Sequence, residues 1–524
     1  MASRRQLALV LHAHLPYVLD PTPWSPAEGW LHEAIWECYL PLVEMLEGLD
    51  RDDVGGSITI SISPPLASML ADPRLGRRFE DRLSALIDLN DAQRQRIASQ
   101  PRFDEVNRLY GRRLREAKDS WQRHDADLLG PLRRLHERGR VELMTTAASH
   151  AYLPGLSPLK NAAAAQLRVG RQSFAALTGV DCGGLWVPEC GYDDTVDAAL
   201  SAMGCRYTVL DDHAVRFAEP RQAPGSAIVS HRGVVILPRD REISHLVWDP
   251  RRGYPGHPSY REFYRDLGLE LPAAQLAPFT PATLTGLKYH RITAKDQQHK
   301  EPYEPESAHA RARRDAADFL DRLEASAERR RATAPFIVAA FDAELFGHWW
   351  FEGPQFLDHL LRGLHRSQTL EATTLGDTVA RCPEVATAEP TPSSWGRGGF
   401  GAAWVGPKTA WLWRHIHHAH HQVRAAVQGT SNESVTCALA RDQAVRELLQ
   451  LQASDWPFML DAGQGTAVAA QRLSEHYRRA MDLAAVAAGD RDATEVEQHR
   501  LAAAQRQAGF LHELSGDALC AALA

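Results

Sequence analysis

No stretch of the chain approaches the roughly 20 consecutive apolar residues that a membrane-spanning helix needs, so an integral helical membrane protein is excluded. The apolar run nearest the start, Leu7–Leu11, is too short for a signal-peptide core and runs directly into His12 and His14. It reads as a strand, and a cytoplasmic protein is expected. Positive charge is also in short supply. Lys and Arg total 59 against 66 Asp and Glu, a net charge of −7, without the basic surface that displaces counterions from nucleic acid. The basic run Arg329-Arg330-Arg331 reads as a solvated helix face. Cysteines number seven, at 38, 182, 190, 205, 382, 437 and 520. The count is odd and no CxxC spacing occurs, which excludes a disulfide framework or a structural zinc knot and points to reduced thiols. There is no GxGxxG after a strand, no Walker A lysine, no GxSxG elbow and no HExxH, so nucleotide, serine-hydrolase and zincin chemistries have no foothold. Internal repeats and low-complexity tracts are absent.

The chain has 13 Trp and 24 His among 524 residues, of which 44% are hydrophobic and 24% charged. That length suits two to four domains or one large barrel with additions. Tryptophan adheres to flat apolar faces such as sugar rings. Seven short apolar runs end in polar residues: Leu7–His14, Ser57–Ser63, Val141–Thr146, Gly184–Glu189, Tyr207–Asp212, Val234–Arg239 and Pro335–Asp342. Amphipathic helical stretches such as Leu31–Leu49 and Asp194–Met203 separate most of them. Near-continuous apolar strands alternating with helices predict a parallel sheet curled into a barrel, with helices outside. In such barrels the polar residues at strand C-termini form the active site. The candidates are then His12, His14, Glu189, Asp211, Asp212 and Asp342. Residues 73–138 and 250–334 are too long for simple βα units and read as helical excursions. Past residue 385, a Pro/Ser/Gly segment leads into Ala-rich periodic stretches at 408–429, 435–452, 464–487 and 491–509. The predicted division is a barrel over 1–385 and a helical domain over 386–524.

In HAHLP, His12 and His14 are two apart on a strand and share a face. They suit a metal pair or two hydrogen-bonding groups for a polar ligand, with packing at a strand end as the plain alternative. Glu189, in GLWVPECGY, follows an apolar strand and a proline. A carboxylate there is expensive to bury without a purpose, although it could simply cap a helix. Asp342, in AAFDAELFGHWWFEG, ends the last strand and precedes Glu344, His348, Trp349 and Trp350. Two carboxylates on different strands, each flanked by aromatics, suit glycoside chemistry: one attacks the anomeric carbon, the other protonates the leaving oxygen. The run His415–His421 places His417 and His421 four apart. Zinc binding is conceivable there, and a polar helix face is the simpler reading.

These segments resemble glycoside hydrolase family 57 and, within it, the 1,4-α-glucan branching enzymes, over nearly the whole chain. HAHLPYV is similar to the first family motif, MTTAASHAYLP with His150 to the second, GLWVPECGY to the third and FDAELFGHWWFEG to the fourth. VWDPRRGYPGHPSYREFYRDLG, LKYHRIT, KEPY, SSWGRGGFGAAW and ASDWPFM also look like branching-enzyme stretches. The resemblance implies a (β/α)7 barrel with helical insertions and a C-terminal α-helical domain, and retaining chemistry that needs no metal or cofactor. It implies Glu189 as nucleophile and Asp342 as general acid/base. His12, His14, His150, Trp248, Trp395, Trp404 and Asp455 would bind the sugar, with Trp24 and Trp30 as a candidate entrance platform. The partner would be an α-glucan, and the enzyme a monomer. In one place the sequence departs from the family pattern. Branching enzymes carry a loop after the fifth strand with a tyrosine near its tip, whereas Phe217–Arg232 is short and has no Tyr. A shorter lid excludes water less well, so raised hydrolysis, or an α-amylase-like hydrolase on the same scaffold, is the alternative expectation. A metal-dependent barrel hydrolase or deacetylase using His12, His14 and His150, and a non-catalytic glucan-binding protein, are the remaining ones.

Overall fold

The structure, a computed structural model, describes residues 4–19, 23–249, 252–280, 283–294, 299–330, 335–382, 385–429, 434–506 and 509–524. Arg331, Pro250, Arg251 and parts of the 250–334 excursion lie outside them.

Nine strands occur among the described residues: β1 (Arg5–Ala13), β2 (Ile58–Ile62), β3 (Val141–Met144), β4 (Tyr207–Asp211), β5 (Ile228–Val229), β6 (Val235–Arg239), β7 (Phe336–Asp342), β8 (Leu370–Thr373) and β9 (Ala386–Thr387). β7, β1, β2 and β3 pair in that order, all parallel. From β3 the ring continues through two parallel bridges, Thr145 with Leu185 and Gly184 with Tyr207. β4 then pairs with β6. The Asp240 N–H donates to Val338 O at 2.7 Å, bringing the end of β6 back to β7. The ring thus has seven members, the (β/α)7 barrel that the family resemblance implies.

Strand periodicity decides what fills it. Alternate residues of a strand face opposite sides. Ala8 and Val10 of β1, Val209 of β4, Leu237 of β6 and Val338 and Ala340 of β7 share one buried cluster with Met144, Trp186 and Tyr207. Leu7, Leu9, Leu11, Ile337, Ala339 and Phe341 belong to a different cluster, packed against the helices. Each inward series, carried two residues further, ends in a polar side chain: His12, Asp211, Arg239 and Asp342. The barrel floor is apolar and its mouth is polar because the same alternation runs through both.

Two strand expectations need correction. Gly184–Glu189 contributes only the bridges at Gly184 and Leu185. Pro188 has no N–H to offer a ladder, and Glu189 turns to φ +62° within a 3₁₀ turn. β8, which the sequence reading did not count, pairs with Arg5–Ala8 of β1, before β2 takes over the same edge at Val10.

The first excursion is a hairpin of two long helices, Pro73–Ile97 and Pro101–Arg123, followed by Leu129–Glu137. Asp72 caps the first through the Arg74 N–H, and Pro73 and Pro101 sit where a missing N–H costs nothing. Leu75, Phe79, Leu83 and Leu86 form its buried stripe at helical spacing. The second excursion ends in the helix Pro305–Arg329. Arg330, just past that helix, pairs with the nearly buried Asp240, so the basic run is not simply a solvated face.

The C-terminal part comprises helices Ala410–Gln428, Val435–Leu451, Asp455–Ala462, Thr466–Ala488, Glu495–Arg506 and Gly516–Leu523. It shares a buried cluster with residues 147–169 of the barrel. An antiparallel bridge joins Ala151 to Ala453, and the Ser454 N–H donates to His150 O at 3.1 Å. All seven cysteines are unpaired thiols. Among the described residues no helix is long and apolar enough to cross a membrane.

Candidate active site

The polar mouth gathers most of the residues singled out from sequence. His12 of β1 lies opposite Asp342 of β7 on one side and Ser61 of β2 on the other. Its Nδ1 is 3.1 Å from Ser61 Oγ and its Nε2 2.9 Å from His150 Nε2. His150 reaches this place with φ +57°. A left-handed non-glycine costs about 1–2 kcal/mol, here offset by the docked C-terminal segment. The His150 ring stacks on His14 at 3.8 Å and on His12 at 4.9 Å, and His12 stacks in turn on the buried Trp186.

Burial, with His14 close by, drives the pKa of both His12 and His150 well below the usual imidazole range, so both are neutral. His14 differs. Burial disfavours its charge, yet Asp455, Glu344 and Glu189 lift its pKa above the ordinary value. Its Nε2 lies 3.1 Å from Asp455 Oδ2 and its Nδ1 2.8 Å from Ser63 Oγ.

Glu189 sits on the left-handed turn after Pro188. Both carboxyl oxygens have donors: Ser454 Oγ to Oε1 at 3.0 Å and Trp395 Nε1 to Oε2 at 2.8 Å. The Trp395 N–H also donates to Glu189 O, so one residue fixes both the turn and the carboxylate. Burial, reinforced by Asp455, raises the Glu189 carboxyl above its ordinary value against the pull of these two donors and His14. Asp342 is driven well above the usual carboxylate range by burial, Glu344 and Glu189, against only the pull of Arg239. Both carboxyls are raised, Asp342 the further, and the pair is electrostatically split to that extent. One carboxyl has donors that favour its ionised form, and the other is held protonated, the separation an acid and a nucleophile need. Glu344 stands behind Asp342, accepting from the His14 N–H at 3.0 Å and from the Tyr39 hydroxyl, its own carboxyl raised by burial against the pull of these donors.

The tryptophans divide differently from expectation. Trp395 and Trp248 are half-buried and meet edge to face at 6.2 Å, with the Arg239 guanidinium over the Trp395 ring. Trp404 is 1% exposed and stacks on Tyr152 at 4.8 Å, so it supports the wall from behind. Trp24 and Trp30 pack against the barrel's helices, Trp24 edge-on to Phe279. Seven of the 13 tryptophans are buried: 36, 121, 186, 350, 404, 413 and 456. Bulk packing, as much as ligand contact, accounts for the tryptophan count.

Asp211 pairs with Arg239 and His213, one layer aside from the carboxyl pair, and Asp212 lines a separate cavity beside them. In the histidine tract, His420 is buried while His417 bonds Gly155 O at 2.9 Å. Among the described residues, three metal-type ligand groups converge only at Glu33, Glu37 and His348. Lys288 and Arg261 already balance those two carboxylates. Sequence reasoning missed Ser61, Ser454, Tyr39 and Arg239. Strand alternation exposes Ser61 and Arg239, whereas nothing local marks Ser454 beyond its place next to Asp455.

The sequence model of glycosyl hydrolase family 57 matches residues 8–389, and that of the 1,4-alpha-glucan branching enzyme C-terminal region matches 415–516. A 1,4-alpha-glucan branching enzyme of Thermococcus kodakarensis is 30% identical, over 90% of this chain and 72% of its own. The crystal structure of the alpha-amylase AmyC from Thermotoga maritima superposes with a TM-score of 0.88 at 31% identity, covering 99% of each chain. That of a branching enzyme of the same family from Pyrococcus horikoshii gives 0.87 at 28% identity, covering 98% of this chain and 96% of the other.

Proposed function

Given that the chain belongs to glycosyl hydrolase family 57, we propose that it is a retaining 1,4-α-glucan branching enzyme acting on a cytoplasmic α-glucan as a monomer. The observation that carries this reading is the split carboxyl pair, Glu189 held by two donors and Asp342 held protonated. In the first step a Glu189 oxygen bonds to the anomeric carbon, the C1–O4 bond breaks, and the Asp342 proton passes to O4 of the departing chain. In the second step Asp342 takes the proton from the 6-hydroxyl of an acceptor glucan, and O6 displaces the Glu189 carboxylate to leave an α-1,6 branch. His14 and Asp455 present polar atoms to the sugar at the cut, with His12 and His150 behind them, their ring nitrogens engaged by Ser61, Ser454 and each other, and Trp395 and Trp248 offer it ring faces and edges.

One observation favours a second outcome of the same chemistry. The segment Phe217–Arg232 is tied down. Glu219 and Glu389 exchange backbone hydrogen bonds at 3.0 and 2.9 Å, and β5 within the segment pairs with both β6 and β9. Pro224 and Gly225 form one wall of an open cavity of about 380 Å³ that shares Arg239 with the site. A tethered segment beside an opening leaves the glucosyl ester accessible to water, which raises hydrolysis relative to transfer.

Incubation with amylose, counting new α-1,6 linkages and new reducing ends together by proton NMR, tests both. Branching with a substantial share of free reducing ends is expected. Reducing ends without α-1,6 linkages would make the protein a hydrolase. Branching with almost none would remove the argument from the tethered segment. Glu189→Gln should abolish turnover with the fold intact, and Asp342→Asn should lower it about 10²–10⁴-fold on amylose.

A further inference from the structure

Four side chains lead to Glu189 in a hydrogen-bond chain whose direction can be worked out from donor counts alone. An ionised carboxylate only accepts, so Ser454 must donate its single hydroxyl proton to Glu189 Oε1. Ser454 Oγ then accepts from His150 Nδ1, 2.9 Å away. A neutral imidazole carries one N–H. With Nδ1 protonated, His150 Nε2 is an acceptor, and its partner at 2.9 Å, His12 Nε2, is the donor. His12 Nδ1 is left as an acceptor, and Ser61 Oγ at 3.1 Å donates to it. Every atom in the chain has one role and no assignment is left open. Both rings are neutral, since burial first and the neighbouring imidazoles next hold the His12 and His150 pKa well below the usual range.

The chain crosses β2, β1, the loop after β3 and the C-terminal segment before it reaches the turn at Glu189. Ser454 is 1% exposed, and its own backbone is pinned to His150 O. The hydroxyl therefore has no solvent to turn to and is held on its acceptor.

We propose that Ser454 is a positioning residue for the nucleophile. It is the last donor of a one-directional chain, Ser61 to His12 to His150 to Ser454 to Glu189, that aims Oε1 and favours the ionised carboxylate. The proposal rests on the reading of Glu189 as nucleophile. It adds that the nucleophile's hydrogen-bonding depends on a residue 265 positions later in the chain. Besides Ser454, the titratable groups facing Glu189 are Asp342 from β7, His14 from β1, His150 and Tyr152 from the loop after β3, the adjacent Cys190, and Asp455 from the C-terminal segment.

The test uses the full chain with Ser454→Ala and Ser454→Thr, reading kcat and KM on amylose against pH. Loss of a donor to an anion should lower kcat about 10- to 100-fold, leave KM within about twofold and the thermal midpoint nearly unchanged, and move the acidic limb of kcat/KM to higher pH. Ser454→Thr keeps the hydroxyl and should restore both kcat and the limb. An unmoved limb, or no rescue by threonine, overturns the proposal. A second measurement stands apart from activity. In ¹⁵N-histidine-labelled protein, His12 should carry its proton on Nε2 and His150 on Nδ1, and the reverse pattern overturns the chain even if every variant folds poorly. If Glu189→Gln stays active while the tautomers are as stated, the nucleophile reading fails and the hydrogen-bond chain survives.

Discussion

Replacing Arg261 by methionine isolates a charge that the structure has sealed from water. Arg261 is 3% exposed and its ion-pair partner Glu37 is fully buried. NH1 pairs with Glu37 Oε1, NH2 donates to His348 O at 3.0 Å, and the guanidinium lies 4.3 Å over the Phe351 ring. Glu37 Oε2 also meets His348 Nδ1 at 2.9 Å. Although burial alone would raise it, the Glu37 carboxyl is held down to about 2 by Arg261, Lys288 and His348. Methionine fills the stem and leaves the carboxylate short of its main partner. Removing one member of a buried pair costs about 3–5 kcal/mol. Unfolding entropy of about 2.1 cal/mol/K per residue over 524 residues is about 1.1 kcal/mol/K. For cooperative unfolding the midpoint should then fall by about 3–5 °C. Differential scanning calorimetry of Arg261→Met, Glu37→Gln and the double variant reads it, and the double should lose less than the sum. The pH dependence supplies a sign. In the parent, the depressed Glu37 pKa gives stability that is present above its unfolded value and lost as pH falls towards 2. In Arg261→Met the orphaned carboxylate is costly only while ionised, so the deficit should be largest near neutrality and shrink in acid. A midpoint within about 1 °C of the parent at pH 7, or a deficit that grows in acid, would refute the reasoning.

Asp342→Asn should cost about 10²–10⁴-fold on amylose and far less on a glucoside whose leaving group needs no proton, measured by parallel assays. Glu344→Gln removes a carboxyl whose charge raises the Asp342 pKa. The basic limb of kcat/KM, which reports loss of the Asp342 proton, should therefore move to lower pH, and an upward shift would exclude Asp342 as the acid. Gly170→Ala places a methyl 2.1 Å from Thr146 O and 2.9 Å from Ala148 N. Both are backbone atoms, so the loop carrying His150 must move, at about 1–3 kcal/mol, seen as a lower midpoint together with a lower kcat.

How much of this the sequence shows depends on how far each signal travels along the chain. The period-two alternation in LALVLHAH and FIVAAFD is local, and it already aims His12, His14 and Asp342 into the barrel. The motif GLWVPECGY marks Glu189, but its strand-like composition conceals the turn, because the left-handed backbone at Glu189 is held by Trp395, 206 residues away. The pairing of Asp455 with His14 has no local cause either, and the resemblance implied Asp455 only as a sugar-binding residue. Tryptophan counting overstated the cleft, since composition cannot tell a ring that walls the site from one that fills a core, as Trp404 and Trp121 do. The segment Phe217–Arg232 looked merely short, and its tethering comes from β9 and Glu389, which no inspection of that segment reveals.

Both donors to the Glu189 carboxylate, Trp395 and Ser454, lie beyond the last barrel strand. On a ribosome elongating at about 5–20 residues per second, β7 emerges several seconds before Ser454 does. A nascent chain with every barrel strand in place would still carry Glu189 on an unsupported turn, its carboxylate without either donor. The order of synthesis thus places the assembly of the carboxyl pair among the last events, after the scaffold around it has formed.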